Sequence, residues 1–117
     1  MQINEQDISY LLDILECIND IISFTSDISF DEFEKDKMRK LAVERQLEII
    51  GQAANKISEE TKKQLITIPW RHIIGLRNRL AHDYGEILAK RIFDISQDSL
   101  LSLKQEIEKI EQIKKYL

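Results

Sequence analysis

Apolar residues recur at spacings of three and four along most of this 117-residue chain, the pattern of amphipathic helix. Between about Asn4 and Ser26 the stripe is Ile8, Leu11, Leu12, Leu15, Ile18 and Ile22. Asn4 is placed to cap that helix, and Asp7 to favour its N-terminus. Thr25 to Phe30 is polar and β-branched and reads as a connection. Asp31, with Glu34 three residues on, predicts a second helix reaching about Ile57. Its expected inward stripe is Met38, Leu41, Ala42, Ile49, Ala53 and Ile57. Arg45 and Gln52 fall on or beside that stripe. They either reach to the edge of the bundle or line a polar cleft. Gly51 in mid-helix costs up to ~1 kcal/mol against Ala. Close approach of a neighbouring backbone would account for it.

Ser58 is the next expected N-cap, with Glu59 and Glu60 in the first turn of a short helix running to about Ile66. Pro69 suits the first position of a fourth helix carrying Trp70 to Tyr84. Gly85 can take the left-handed conformation that ends it. From Glu86 onward Leu88, Ile92, Ile95, Leu100, Leu103, Ile107, Ile110 and Ile113 drift around a long helix, with a break expected near Ser96 to Ser99. Trp70, Ile73, Ile74 and Leu76 are expected in the core. The predicted architecture is all-α, an antiparallel bundle of four or five helices forming a single domain over residues 1–117.

Composition changes this picture little. Charged residues make up 32% and hydrophobic ones 43%, ordinary for a globular chain, and three Gly and one Pro fit long helices with short connections. No apolar run approaches the ~20 residues of a membrane span, and no secretory pattern opens the chain. The expected location is the cytoplasm, with no membrane association. Cys17 is alone, so no disulfide framework is expected, and its expected role is core filling. Charge is more informative. The net charge is -4. Yet Pro69 to Ile92 holds Arg71, Arg77, Arg79, Lys90 and Arg91 against Asp83 and Glu86. The polar chemistry therefore sits in the basic part of an acidic protein.

That chemistry is concentrated in Arg77-Asn78-Arg79-Leu80-Ala81-His82-Asp83-Tyr84. An arginine can clamp a phosphate and steady charge on its oxygens. A histidine can carry a proton on or off near neutral pH. Together they suit cleavage of RNA by its own 2′-hydroxyl, without a metal. Asn78 could orient His82 or donate to a phosphate oxygen, and Arg79 could support. Each residue also has an ordinary structural use: His82 at a helix end, Arg79 with Asp83 as an i,i+4 pair, Tyr84 closing the bundle. On one straight helix Arg77 and His82, five residues apart, lie roughly 140° apart around the axis. Two copies facing each other would converge more easily. His72 and His82 have no further His or Cys at ligand spacing, so no metal and no cofactor are expected. Gly-rich phosphate loops and nucleophile elbows are absent, and Cys17 has no basic neighbours to activate it.

The same stretch, entered by Pro69-Trp70-Arg71-His72-Ile73-Ile74-Gly75-Leu76, resembles the signature helix of the HepT-like (DUF86) branch of the HEPN superfamily. Ala42 to Ser58, with its Ile50-Gly51-Gln52-Ala53-Ala54 run, resembles that family's second helix. The resemblance implies a ribonuclease toxin of a type VII-like toxin–antitoxin pair, cutting RNA with Arg77 and His82 as the catalytic pair. It implies a homodimer with the two motifs on a shared cleft. It further implies a minimal nucleotidyltransferase antitoxin that adds AMP to Tyr84. Gln52 departs from the family, where Glu is frequent, and Phe93 stands where Trp is common. The alternative is a non-catalytic module of the same shape that docks a nucleotidyltransferase and helps bind its nucleotide or substrate.

Overall fold

The structure, a computed structural model, describes residues 2–117. Its first long helix, α1 (Glu5–Thr25), starts where expected: the Asn4 side chain accepts from the Asp7 backbone N–H at 2.8 Å. The second expected helix is instead two. Ser29 and Glu32 form a reciprocal capping box that opens α2 (Phe30–Lys35), two residues before the predicted start at Asp31. Asp36 then leaves helical geometry, with φ -97° and ψ 91°, and caps α3 (Lys37–Lys56) by accepting from the Arg39 N–H. A carboxylate that accepts from a free backbone N–H of the next helix breaks the run where periodicity alone carries on.

Helix α3 lies antiparallel to α1. The Arg39 guanidinium at its start donates to the Phe24 carbonyl at the end of α1, 2.8 Å away. At the opposite end Asp7 of α1 meets Ser58, just past α3. The buried face of α3 is Val43, Leu47, Ile50, Ala53 and Ala54, with Ile57 just beyond. Of the predicted stripe, Ala53 and Ile57 are inside, whereas Met38 is 83% exposed and Leu41 54%. The stripe was placed about one residue, or ~100°, off the true face.

Ser58 caps α4 (Glu59–Gln64) as predicted. The expected fourth helix is broken. α5 (Trp70–Ile74) and α6 (Leu76–Leu80) are separated by Gly75, and the helix ends at Leu80 rather than Tyr84. Trp70, Ile73 and Leu76 are buried, and the Trp70 indole N–H donates to the Leu65 carbonyl at 3.2 Å. Gly85 does take a positive φ of 56°, but it opens α7 (Gly85–Asp94) instead of ending the helix before it. No break follows near Ser96. The helix continues through one wide π turn (Ile95–Ser99) into α8 (Leu100–Glu108), and α9 (Glu111–Lys114) closes the chain. Ser96 is buried and its hydroxyl donates to the Phe93 carbonyl at 2.6 Å, loosening the ladder there.

The α7–α8 rod packs on α1 and α2 and returns the chain to its start. The Gln112 amide bonds both backbone groups of Ile3, at 2.8 and 2.7 Å. Phe93 packs against the fully buried Phe33 and against Phe30, and burying a ring such as Phe33 contributes about 1.5–3 kcal/mol. Cys17 fills the core of α1 as expected. Burial, with Asp20, Glu16 and Asp13 nearby, pushes its thiol up to about 11. The described residues contain no strand, and none of their helices is long and apolar enough to cross a membrane. The fold is the all-helical bundle the sequence predicts.

Two contacts set how the ends and the middle are held. Asp7 is only 3% exposed. Burial alone would push its carboxyl up, but the Ser58 and Thr61 hydroxyls, each at 2.6 Å, the Ser58 N–H and the Asn4 amide outweigh it and hold the carboxyl below 3.8. A lowered folded value means stability that is present at neutral pH and lost as pH falls through that value. Asp7→Ala should therefore cost about 2–3 kcal/mol at pH 7 in denaturant unfolding. The cost should shrink toward pH 2; a cost unchanged between pH 7 and pH 2 would refute it.

The second contact is at Gly51, where α5 crosses α3. A methyl group there would meet the Ile73 carbonyl oxygen at 3.5 Å and that of Ile74 at 3.9 Å. This is the close backbone approach that Gly51 implied. One methyl fits at ordinary contact, so Gly51→Ala should be neutral or raise stability by up to ~1 kcal/mol through helix propensity. Gly51→Leu should force α5 away and destabilise by roughly 1–3 kcal/mol. Equal melting temperatures for the two variants would contradict this.

Candidate functional site

The Arg77–Tyr84 stretch forms the tip of a hairpin between α6 and α7. The last turn of α6 closes through the Ala81 N–H to the Arg77 carbonyl at 3.0 Å. The chain then unwinds, with His82 N–H on the Arg79 carbonyl at 3.4 Å and Asp83 N–H on the Leu80 carbonyl at 3.1 Å. Tyr84 is extended, at φ -136° and ψ 158°, and its carbonyl receives the first hydrogen bond of α7. Gly85 supplies the left-handed step that turns the chain into that helix. Arg77 therefore stands on a helix and His82 on a turn. The 140° separation expected of one straight helix does not apply.

The hairpin tip is tied by charge. Asp83, largely covered, is paired with Arg91 on α7. The pairing of Arg79 with Asp83 expected from an unbroken helix is absent. Arg79 folds back across Gly75 and its guanidinium meets His72 Nε2 at 3.1 Å. An arginine can only donate, so this contact makes His72 Nε2 the acceptor and places the ring proton on Nδ1. The missing side chain at Gly75 clears the path: a methyl there would sit 3.5 Å from the Arg79 guanidinium and 3.2 Å from the Arg71 carbonyl. Lys90 pairs with Asp94 at 3.1 Å. Of the basic residues counted in this segment, Arg71, Arg77 and Arg79 make no ion pair among the described residues, Arg79 meeting only the His72 ring.

Beside the tip lies a cleft of ≈ 310 Å³. Leu76, Arg77 and Leu80 of α6 form one wall, and Glu44, Leu47 and Glu48 of α3 face them. Asp83, Tyr84 and Leu88 close the end. The cleft thus brings together Arg77 and Tyr84, two of the residues singled out by the sequence. Asn78, Arg79 and His82 are exposed on the same hairpin but do not line it. Tyr84 is 79% exposed, so it does not close the bundle.

Glu44 and Glu48 were missed by sequence reasoning. The signal lay one residue from where it was sought. Of the two alternatives for Arg45 and Gln52, the structure takes the bundle edge: both are exposed. Each donates to Glu48 Oε1, at 3.0 and 3.3 Å. Glu48 Oε2 makes no hydrogen bond among the described residues. Once α3 is rotated to its true face, Glu44 and Glu48 follow from the i,i+4 rule as a pair flanking Leu47. Among the described residues no three His, Cys, Asp or Glu side chains are grouped to hold a metal ion.

A second hollow, of ≈ 360 Å³, lies on the other side of α5 between Ile68, Ile73, Ile95 and Leu103, with His72 and Glu106 at its rim. It carries none of the motif residues singled out above.

Comparison with known proteins gives a consistent picture. The family described as "Ribonuclease HepT-like" matches residues 14–110. The Methanocaldococcus jannaschii protein named "Putative RNase MJ1380" is 40% identical over 100 residues, covering 86% of this chain and 92% of the relative. A second protein of that organism, "Putative RNase MJ0127", is 41% identical over 102 residues, covering 87% of this chain and 84% of the relative. The Thermococcus cleftensis protein named "Probable ribonuclease HepT" is 38% identical over 101 residues, covering 86% and 92%. No solved structure matches.

Proposed function

Because the chain belongs to the ribonuclease HepT-like family, we propose that it is a metal-independent endoribonuclease toxin acting in the cytoplasm through Arg77 and His82. The observation that carries this reading is Arg77, an exposed residue at the lining of a cleft that has no carboxylate partner among the described residues. An arginine without an internal anion is suited to an external one, and a phosphate matches its fork of donors.

In the proposed reaction His82 takes the proton of a ribose 2′-hydroxyl. The 2′-oxygen attacks phosphorus, the 5′-oxygen departs and takes up a proton, and a 2′,3′-cyclic phosphate remains. Arg77 steadies the charge that builds on the phosphorus oxygens. Asn78 and Arg79 support, by orienting His82 and by adding positive charge. DNA lacks the attacking hydroxyl and is spared. We further propose that two copies pair, so that a cleft with Arg77 in one copy meets a His82 from either chain. The exposed Met38, Leu41 and Ile87 supply apolar surface for such a contact.

Neutralisation is proposed to come from a cognate minimal nucleotidyltransferase that transfers AMP to the Tyr84 hydroxyl. Tyr84 is exposed and lines the cleft with Arg77. An added phosphodiester there would bring bulk and negative charge to the place where RNA phosphate must bind. Incubation with that partner and ATP should add one AMP mass to the peptide containing Tyr84, and none to Tyr84→Phe. Label on Tyr84→Phe would contradict the switch.

One observation favours the second reading, a non-catalytic docking module: His82 does not line the cleft that holds Arg77. The two readings separate on purified protein with total RNA in EDTA. Wild type should leave 2′,3′-cyclic ends. Arg77→Ala and His82→Ala should each lower the cutting rate by roughly 100-fold or more. Cutting equal in wild type and His82→Ala, or no cutting at all, would turn the choice to the docking module.

A further inference from the structure

The cleft beside Arg77 carries more chemistry than phosphate binding needs. Its α3 wall offers two carboxylates, Glu44 and Glu48, in a protein proposed to hold an anionic polymer. Carboxylates beside a phosphate site are unfavourable unless the ligand brings donors to them. Glu48 is set up to accept such donors. Arg45 and Gln52 hold its Oε1 from the outside, fixing the carboxylate, while Oε2 is left without a partner. Glu44, one helical turn away and half-buried, makes no ion pair among the described residues. Asp83, the third acid of the cleft, is already engaged by Arg91.

The remaining walls are flat and apolar. Leu47, Leu76, Leu80 and Leu88 surround the space, and the exposed Tyr84 ring stands at its edge. Single-stranded RNA is read by this combination: an aromatic or aliphatic surface for the base, and polar groups for its pairing edge. We propose that the cleft is a nucleobase subsite selecting guanine, with Glu48 and Glu44 accepting from N1–H and the 2-amino group while Arg77 holds the adjoining phosphate.

The preference follows from donor and acceptor patterns. A carboxylate is an acceptor only. Guanine presents two adjacent N–H donors on its pairing edge, one for the free oxygen of Glu48 and one for Glu44. Uracil presents a single N–H between two carbonyls, whose lone pairs face those of the carboxylate. Adenine and cytosine each offer one amino group beside a ring acceptor. A cationic side chain of a partner protein is the competing occupant. It is disfavoured by the Arg77 guanidinium in the same cleft and by Arg45, which already neutralises one side of Glu48.

This inference rests on the RNA-cutting reading, but its test does not require cutting. Calorimetric titration of the protein with guanosine, inosine and uridine 3′-monophosphates compares bases at constant phosphate. Guanosine should bind about tenfold or more tightly than uridine, the worth of one hydrogen bond to a charged group. Inosine, lacking the 2-amino group, should fall between. Glu48→Gln and Glu44→Gln, both on the accessible face of α3 and checked for helix content by circular dichroism, should narrow the gap between guanosine and uridine in at least one variant. Equal affinity for all three nucleotides, no binding, an unchanged gap in both variants, or tighter binding of N-acetyl-arginine amide than of guanosine phosphate would each overturn the proposal. Guanine preference without any RNA cutting would refute the ribonuclease and spare the subsite. RNA cutting without guanine preference would do the reverse.

Discussion

The crossing of α5 over α3 at Gly51 is the constraint on which the rest of the site depends. Carbonyl oxygens of Ile73 and Ile74 lie within van der Waals reach of where a side chain at Gly51 would begin. No helix with a large residue at that point could accept α5 so closely. The consequence runs in two directions. Ile73 and Leu76 are pressed into the core beside Leu47 and Ile50. Arg77, one residue after Leu76, is thereby held at the edge of the same helix, opposite Glu44 and Glu48. The cleft exists because α3 presents apolar residues on its buried side, a glycine at the crossing, and acids just beyond.

How much of this could be read from the chain depends on how local each determinant is. The caps at Asn4 and Ser58 were legible, since a cap is decided within three residues. Gly51 was legible as a close approach, because an interior glycine has a known cost that packing must offset. The face of α3 was legible as well, although the expected stripe missed it. Val43, Leu47, Ile50, Ala54 and Ile57 recur at strict spacings of four and three, whereas Met38, Leu41 and Ile49 leave a gap of eight residues that holds the polar Arg45. The breaks at Asp36 and Gly75 were hidden for a different reason. Helical spacing continues through both, and the decision rests on a side-chain cap in one case and on α3 in the other. Because the stripe was misplaced, Glu44 and Glu48 were hidden with it. The polar stretch from Arg77 to Tyr84 was visible as a composition, being contiguous. Its geometry was not, since a straight helix through Tyr84 puts Arg77 and His82 on different sides of one cylinder, whereas the chain has already left the helix at His82.

Charge shows the same gap between sum and arrangement. The segment from Pro69 to Ile92 is basic in composition. Yet Lys90 and Arg91 are paired with Asp94 and Asp83, and Arg79 is drawn back onto His72. In the cleft itself Arg77 shares the lining with Glu44 and Glu48. A cleft of mixed sign discriminates by the pattern of donors and acceptors, where a uniformly basic groove would hold any polyanion.

The helices that carry the motif are five residues each, α5 and α6, joined at a glycine. Segments of that length do not sustain helix by themselves, because nucleation costs more than so few hydrogen bonds return. Their order is borrowed from α3. The long helices α1 and α3, by contrast, share an extensive buried face and are anchored at both ends. Cooperative opening of a folded chain begins where few buried contacts hold the backbone. On warming, the hairpin bearing Arg77 and His82 would detach while the α1–α3 pair is still intact. The molecule would then pass through a form whose core is folded but whose Arg77 cleft is gone, and the temperature range over which that cleft exists would be set by the melting of a peripheral hairpin and not by the stability of the core.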